Sequence, residues 1–257
     1  MSRPKLVTRI VVAVIIVILI PTGVLYYLAG LMPDDYRPVK LSQEAKERVV
    51  SRFVQHVVLD FRNSAQRLKP FTWRITQRQI NEYLASMDQI AAGCPEHSSG
   101  EIDAKMQEMG LGDPAVAIGD GKVTLMIRST RFGNVLSADI AADLTEDGKL
   151  RITLAGTRVG KLSVPRGPIL RPLKNLRRQL VLRRSLDRNG PGLEVASPEA
   201  VGGILAALIA AIDGKPIVPE ETWTIKGIGI RIEDLTIDDE KREMAIRIRP
   251  IAPSRPR

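Results

Sequence analysis

The strongest constraint on this chain is "IVVAVIIVILIPTGVLYYLAGLM", Ile10 to Met32, a run without a single charged residue. About 20 helical residues cross a bilayer core, so an apolar run of this length predicts a membrane-spanning helix. Arg3, Lys5 and Arg9 precede it; Asp34 and Asp35 follow. The positive-inside rule then predicts a cytoplasmic tail at residues 1–9, an anchor at 10–32, and an extracytoplasmic remainder. Tyr26 and Tyr27 fall near the outer end of the run, at the level of an aromatic belt. Pro21, in its middle, is tolerated by bilayer helices. No small-x-small cleavage site closes the run, so it reads as a retained signal anchor of a single-pass protein.

An exported domain is often stapled by disulfides, but Cys94 is the only cysteine and no intrachain bridge can form. The domain must rest on its core, for which the chain is long enough. The net charge of +9 is localised. Arg3, Lys5 and Arg9 carry +3, and Arg166 to Arg188 carries +7 (eight basic residues against Asp187), which leaves −1 for the rest. That pattern marks one basic patch in an otherwise balanced protein.

After a Pro-containing linker at residues 33–41, the alternation of apolar residues predicts an α+β domain over 42–251 and a disordered tail at 252–257. Ser42 can cap a long helix whose stripe is Val50, Phe53, Val54, Val57, Val58, Phe61, Ala65 and Leu68. Of these, Phe53, Val57, Phe61 and Leu68 are the candidate lining of an apolar groove or core. "FTWRI" reads as a strand. Thr76 and Gln79 form a capping box for a helix with Ile80, Leu84 and Met87 as its seam. Residues 91–112 read as loop. Two hairpins follow, turning at Asp120-Gly121 and Asp147-Gly148. "SPEAVGGILAALIAAIDG" reads as a helix with Pro198 in its first turn, and its apolar run is too short to span a bilayer. A long two-strand unit turning between Asp238 and Glu243 closes the domain. The predicted architecture is a curved antiparallel sheet packed with the long helix and several shorter ones.

"ITQRQINEYL", an Asp-Gly hairpin, "LRITLAGTRVGKLSVPRGPILRPL" and "IGIRIEDLTIDDEKREMAIRIRPI" occur in that order behind one anchor. This arrangement resembles the YpmS-like family of membrane-anchored bacterial envelope proteins. It is also similar to the wider tubular lipid-binding (TULIP-like) domains, over roughly residues 70 to 250. The motifs that carry the likeness are Gln77 with Asn81, and Val159 to Pro165. The resemblance implies an envelope location and brings no catalytic residues; the wider group implies lipid binding.

Chemistry-bearing residues are sparse. His56 falls on the polar side of its helix. Cys94 and His97 have a Cys-x-x-His spacing, but a structural zinc needs four ligands and no second pair exists, so no metal or cofactor is expected. No Gly-x-Ser-x-Gly elbow or phosphate-binding loop is present, and the chain does not read as an enzyme; a hydrolase on cell-wall or lipid substrates would need a nucleophile and base that these motifs do not supply. Between Ile169 and Val181, Ile169, Leu173, Leu176 and Leu180 share one helical face. Arg171, Lys174, Arg177 and Arg178 lie on or beside the other, either as the solvated face of a domain helix or as a surface for anionic lipid or an acidic envelope partner. Nucleic acid is not an expected partner, because the patch lies outside the cytoplasm and lacks interleaved aromatic residues. Two functions fit: a non-catalytic protein that binds membrane lipid or a lipid-like apolar chain, or a structural or accessory subunit bound to another envelope protein.

Overall fold

The computed structural model describes residues 19–93, 100–146, 150–165, 216–217, 224–225 and 228–252. The described residues form an α+β protein with antiparallel sheets and several helices. Residues 19–30 are helical. No helix among the described residues is long and apolar enough to cross a membrane, and the predicted span begins outside them.

The long helix after Ser42 has three parts. Helix α1 is Gln43–Phe53, Val54–Asp60 is a π-helical turn, and α2 is Phe61–Gln66. Ser42 caps the start by accepting from the Ala45 N–H. In an α-helix a four-residue spacing drifts by about 40° around the axis, and the wider π turn winds part of that drift back. Phe53, Val57 and Phe61, each four residues apart, therefore stay on the inward face, while Val54 is exposed. The predicted stripe fails at its end: Leu68, with φ 53°, is 47% exposed.

Strand β1 (Phe71–Thr76) runs directly into helix α3 (Gln77–Ala85). The Thr76–Gln79 capping box is formed in both directions. The most buried side chains of α3 are Asn81, Glu82 and Tyr83; of the expected seam, Ile80 packs against the Val49, Ile75 and Tyr83 cluster and Leu84 is half-buried. Glu82 is tolerated because Arg52 Nη1 and Arg78 Nε each donate to it at 2.8 Å. Helix α4 (Met87–Ala92) ends as the stretch read as loop begins, and that stretch, residues 91–112, contains a helix, α5 (Glu101–Glu108). Gly100 begins α5 without a side-chain cap of its own. Asp88 supplies it instead, accepting from the N–H groups of Gly100 at 2.6 Å and Ile102 at 3.2 Å.

The single curved sheet of the sequence reading is corrected to two sheets. One has four strands in the order β1-β10-β9-β8, where β8 is Thr224–Ile225, β9 is Ile228–Asp238 and β10 is Glu243–Ile251. The other has the order β2-β3-β4-β5-β6, with β2 Leu111–Gly119, β3 Lys122–Ser129, β4 Val135–Leu144, β5 Leu150–Val159 and β6 Leu162–Ser163. Strand β7 (Pro216–Ile217) also pairs with β5. Asp120 and Gly121, both at positive φ, make the β2–β3 turn. Asp238 pairs with Glu243 across the β9–β10 turn, as expected.

The four-stranded sheet buries Ile75, Ile230, Ile232 and Ile248 on its helix side, each contributing roughly 2 kcal/mol. Val49, Ile75 and Tyr83 form a core cluster, with Phe53, Val57, Trp73 and Met244 packed around it. The Phe61 ring meets Phe71 at 5.5 Å and Trp73 at 6.0 Å, both edge to face. Helix α3 joins this unit to the second sheet through two amides. Gln77 Oε1 accepts from the Ile118 N–H at 2.9 Å. Asn81 accepts from the Val116 N–H at 2.6 Å and donates to the Val116 carbonyl at 2.9 Å. Ile225 was expected near the same core, and its side chain lies outside the described residues.

Residues following the helix at 19–30 are packed on the six-stranded sheet. Pro33 is buried, and Tyr36 lies against Ala115, Met126 and Val135 while its hydroxyl donates to the Asp113 carbonyl at 2.7 Å. The Lys161 N–H donates to the Leu28 carbonyl at 3.0 Å, and its ammonium pairs with Asp34 at 2.7 Å. Gly160, at φ 58°, lies under the carbonyls of Leu28, Ala29 and Leu31; a Cβ there would stand 2.7 Å from the Leu28 oxygen. Only glycine fits that approach.

Candidate functional site

Alternation along β3, β4 and β5 places aliphatic residues on one face of the six-stranded sheet. The register aligns them in rows: Ile127, Leu136 and Val159; Leu125, Ala138 and Thr157; Val123, Ile140 and Leu154; then Ala142 with Ile152, and Leu144 with Leu150. In a sheet whose face is packed, the central strands carry the most buried side chains. Here the order is reversed. Leu125 on β3 and Leu136 on β4 are 44% and 38% exposed, whereas Val116 and Ile118 on the edge strand β2, which pair with Leu125 and Val123 on the same face, are 2% and 3% exposed. Val123, Ile127, Ile140, Ile152, Leu154 and Val159 are half-buried.

The opposite face is more polar and better buried: Ala115, Met126 and Val135 form a cluster there, with Thr124, Ser137 and Asp139 buried beside it. Asp139 is buried and accepts from Thr124 Oγ1 at 2.8 Å and Arg158 Nη2 at 3.0 Å. Its other oxygen lies over Gly156, where a Cβ would come within 2.7 Å. At this point β5 carries a bulge, because Asp139 pairs with Gly156 but Ile140 with Leu154. A cavity of about 450 Å³ opens beside the bulge, lined by Asp139, Ala155, Gly156, Thr157, Arg158, Ser163, Val164 and Pro165. Asp139 is held by an arginine and a threonine, an ion-paired strut within the sheet. His56 Nδ1 lies 2.9 Å from Asp60 on the exposed side of the long helix, an i,i+4 pair open to solvent. Among the described residues, no three His, Cys, Asp or Glu side chains gather where a metal could bind.

Of the candidate residues from the sequence, Phe53, Val57 and Phe61 come together as packing between the long helix and the four-stranded sheet. Leu68 stands apart from them in solvent. Arg171, Lys174, Arg177 and Arg178 lie outside the described residues, as do Cys94, His97 and the helix read at Ser197 to Gly214. The aliphatic rows of β3 to β5 were not singled out as a site. Their signal is present in "VTLMI", "LSADIAADL" and "LRITL" as plain alternation, which reveals an apolar face but not whether anything covers it. Comparison with protein-family models, with curated proteins and with solved structures finds no match for this chain.

Proposed function

We propose that the chain is a single-pass, extracytoplasmic binding protein of the bacterial envelope. It has no catalytic role, and a lipid or lipid-like apolar chain lies along the aliphatic face of its six-stranded sheet. The observation that carries this reading is the reversed exposure of Leu125 and Leu136, central residues of a face that is aliphatic apart from Thr157. Exposed apolar patches of this kind mark interaction sites. Each methylene of a bound chain that such a face removes from water contributes about 0.8 kcal/mol. The anchor is supported by the helical residues 19–27, all of which are exposed and none of which is charged. The basic residues Arg171, Lys174, Arg177 and Arg178 would add attraction to anionic headgroups, about 1 kcal/mol each near a charged surface.

Native mass spectrometry of the full chain extracted in mild detergent tests the reading. The wild type should retain a lipid-sized mass that a Leu125→Asp, Leu136→Asp double variant loses. A wild type without bound lipid overturns the lipid reading. A co-purifying protein, displaced by the same double substitution, would assign the face to an envelope partner. Protease added outside spheroplasts should digest the large domain; its protection would overturn the topology.

A further inference from the structure

The six-stranded sheet has two ends, and they differ. At one end the β2–β3 turn meets the β9–β10 turn, where the Gly121 N–H donates to Asp239 at 3.2 Å. That end is polar, with Asp120, Glu240 and Lys241 exposed. The other end holds the β3–β4 turn, the β5–β6 turn and the C-terminus of α5. Its turns are hydrogen-bonded together: the Gly160 N–H donates to the Val135 carbonyl at 2.7 Å, and the Thr130 N–H to the Gly110 carbonyl at 2.8 Å. Phe132, at the tip of the β3–β4 turn, is 82% exposed, and Met109, which adjoins Gly110 where α5 meets that turn, is 60% exposed. Arg131 lies between them, its side chain over Gly110 and its guanidinium donating to the Glu108 carbonyl at 3.2 Å.

Rotamer freedom does not explain this exposure. The turn is held by the Gly133 N–H to the Ser129 carbonyl at 2.8 Å and by the Ser129 N–H to the Asn134 carbonyl at 2.8 Å, so Phe132 is presented outward by an ordered hairpin. The end that presents it is the one to which the apolar helix is fastened, through Gly160 and Lys161 to Leu28. From Tyr27 to Gly30 the helix rises only about 5 Å, so the tyrosine belt lies close to the sheet end. Phe132 is three residues from Val135, which spans at most about 10 Å.

We infer that the β3–β4 turn is a second membrane contact: Phe132 and Met109 enter the interfacial layer of the bilayer that holds the anchor, and Arg131 meets its phosphates. This rests on the anchor reading. The occupant is a lipid surface because the exposed apolar pair, the arginine between them and the exposed apolar helix all belong to one end of the fold. Aromatic and long apolar side chains favour that layer, and an arginine beside them keeps its charge at the phosphate level. With the anchor and this turn both in the bilayer, the domain is fixed in tilt as well as in height.

The test uses the full chain with Cys94→Ser, reconstituted into phosphatidylcholine–phosphatidylglycerol vesicles. A single environment-sensitive fluorophore is placed at Tyr26→Cys, Phe132→Cys or Glu240→Cys, and lipids spin-labelled near the headgroup act as quenchers. Labels at positions 26 and 132 should lose most of their emission, and the label at 240 should keep it. Quenching at 26 but not at 132 overturns the inference and leaves the anchor standing. Quenching at none of the three overturns the anchor reading and this inference with it. Equal quenching at all three shows general adsorption and also overturns it.

Discussion

The four-stranded sheet carries its apolar face under helices, whereas the six-stranded sheet leaves its central leucines in solvent. In the first, Phe61 meets Phe71 and Trp73 from above while the outer face carries ion pairs, Arg74 to Glu243 and Arg247 with Arg249 to Glu233. In the second, Leu125 and Leu136 have the same alternation and, among the described residues, no such helical cover. Equal patterning therefore has two physical outcomes: one face is part of the folding free energy, and the other is available to an external apolar partner.

The comparison is broken most severely at the joint between the two regions. Asn81→Ala removes two hydrogen bonds and strands the buried Val116 N–H and carbonyl. It should cost about 4 kcal/mol, read from urea unfolding of the full chain in mild detergent. A loss below about 1 kcal/mol would mean the joint is not structural. Phe61→Ala, inside the covered face, should cost about 3 kcal/mol in the same measurement.

Tyr36→Phe should cost about 1 kcal/mol by removing the hydroxyl bond to the Asp113 carbonyl. Burial first, then the charge of Asp113, pushes the Tyr36 phenol up to about 12 from its ordinary 10.0, against the pull of Arg128. A phenol that holds its proton more tightly when folded adds stability below the unfolded value and loses it as pH rises through the folded one. Wild-type stability should thus fall between about pH 10 and 12, more steeply than that of the Phe variant, when both are titrated by circular dichroism.

Leu125→Asp with Leu136→Asp should cost no more than about 2 kcal/mol, because both side chains are only partly covered and most of the loss is strand propensity. A loss as large as that of Phe61→Ala would show this face to be covered and would erase the contrast between the sheets. Glu233→Gln on the outer face of the four-stranded sheet should cost only about 0.5 kcal/mol, since Arg247 and Arg249 remain solvated; a larger loss would give the ion pairs a structural role.

Local chemistry was the legible part of the fold. The Thr76–Gln79 box, the Asp120-Gly121 turn and the Asp238 to Glu243 turn each need only residues a few positions apart. Partition into two sheets was not legible, because β1 pairs with β10 across most of the chain and alternation does not name a partner. Helix α5 was read as loop because its cap comes from Asp88, a dozen residues earlier. The buried seam of α3 was legible only in part: Ile80 packs on the core, but Asn81 and Glu82 are polar, and their burial depends on Val116, Arg52 and Arg78 in other elements. Leu68 continued the stripe on paper, but the helix ends before it and its backbone turns left-handed. For the site, the alternation of β3 to β5 was visible and its exposure was not, since exposure is set by what the rest of the chain places on top.

Strand β2 lies at the margin of its sheet, and such a margin is normally an invitation to fibril growth or strand exchange. Here the outward N–H groups of Val116 and Ile118 and the Val116 carbonyl are already bonded to Asn81 and Gln77. A foreign strand could add only by evicting both amides and lifting α3 away. Two side chains, one helical turn apart, thus act as a plug against polymerisation, and Asn81→Ala should leave a chain that is prone to assemble with copies of itself as well as weaker.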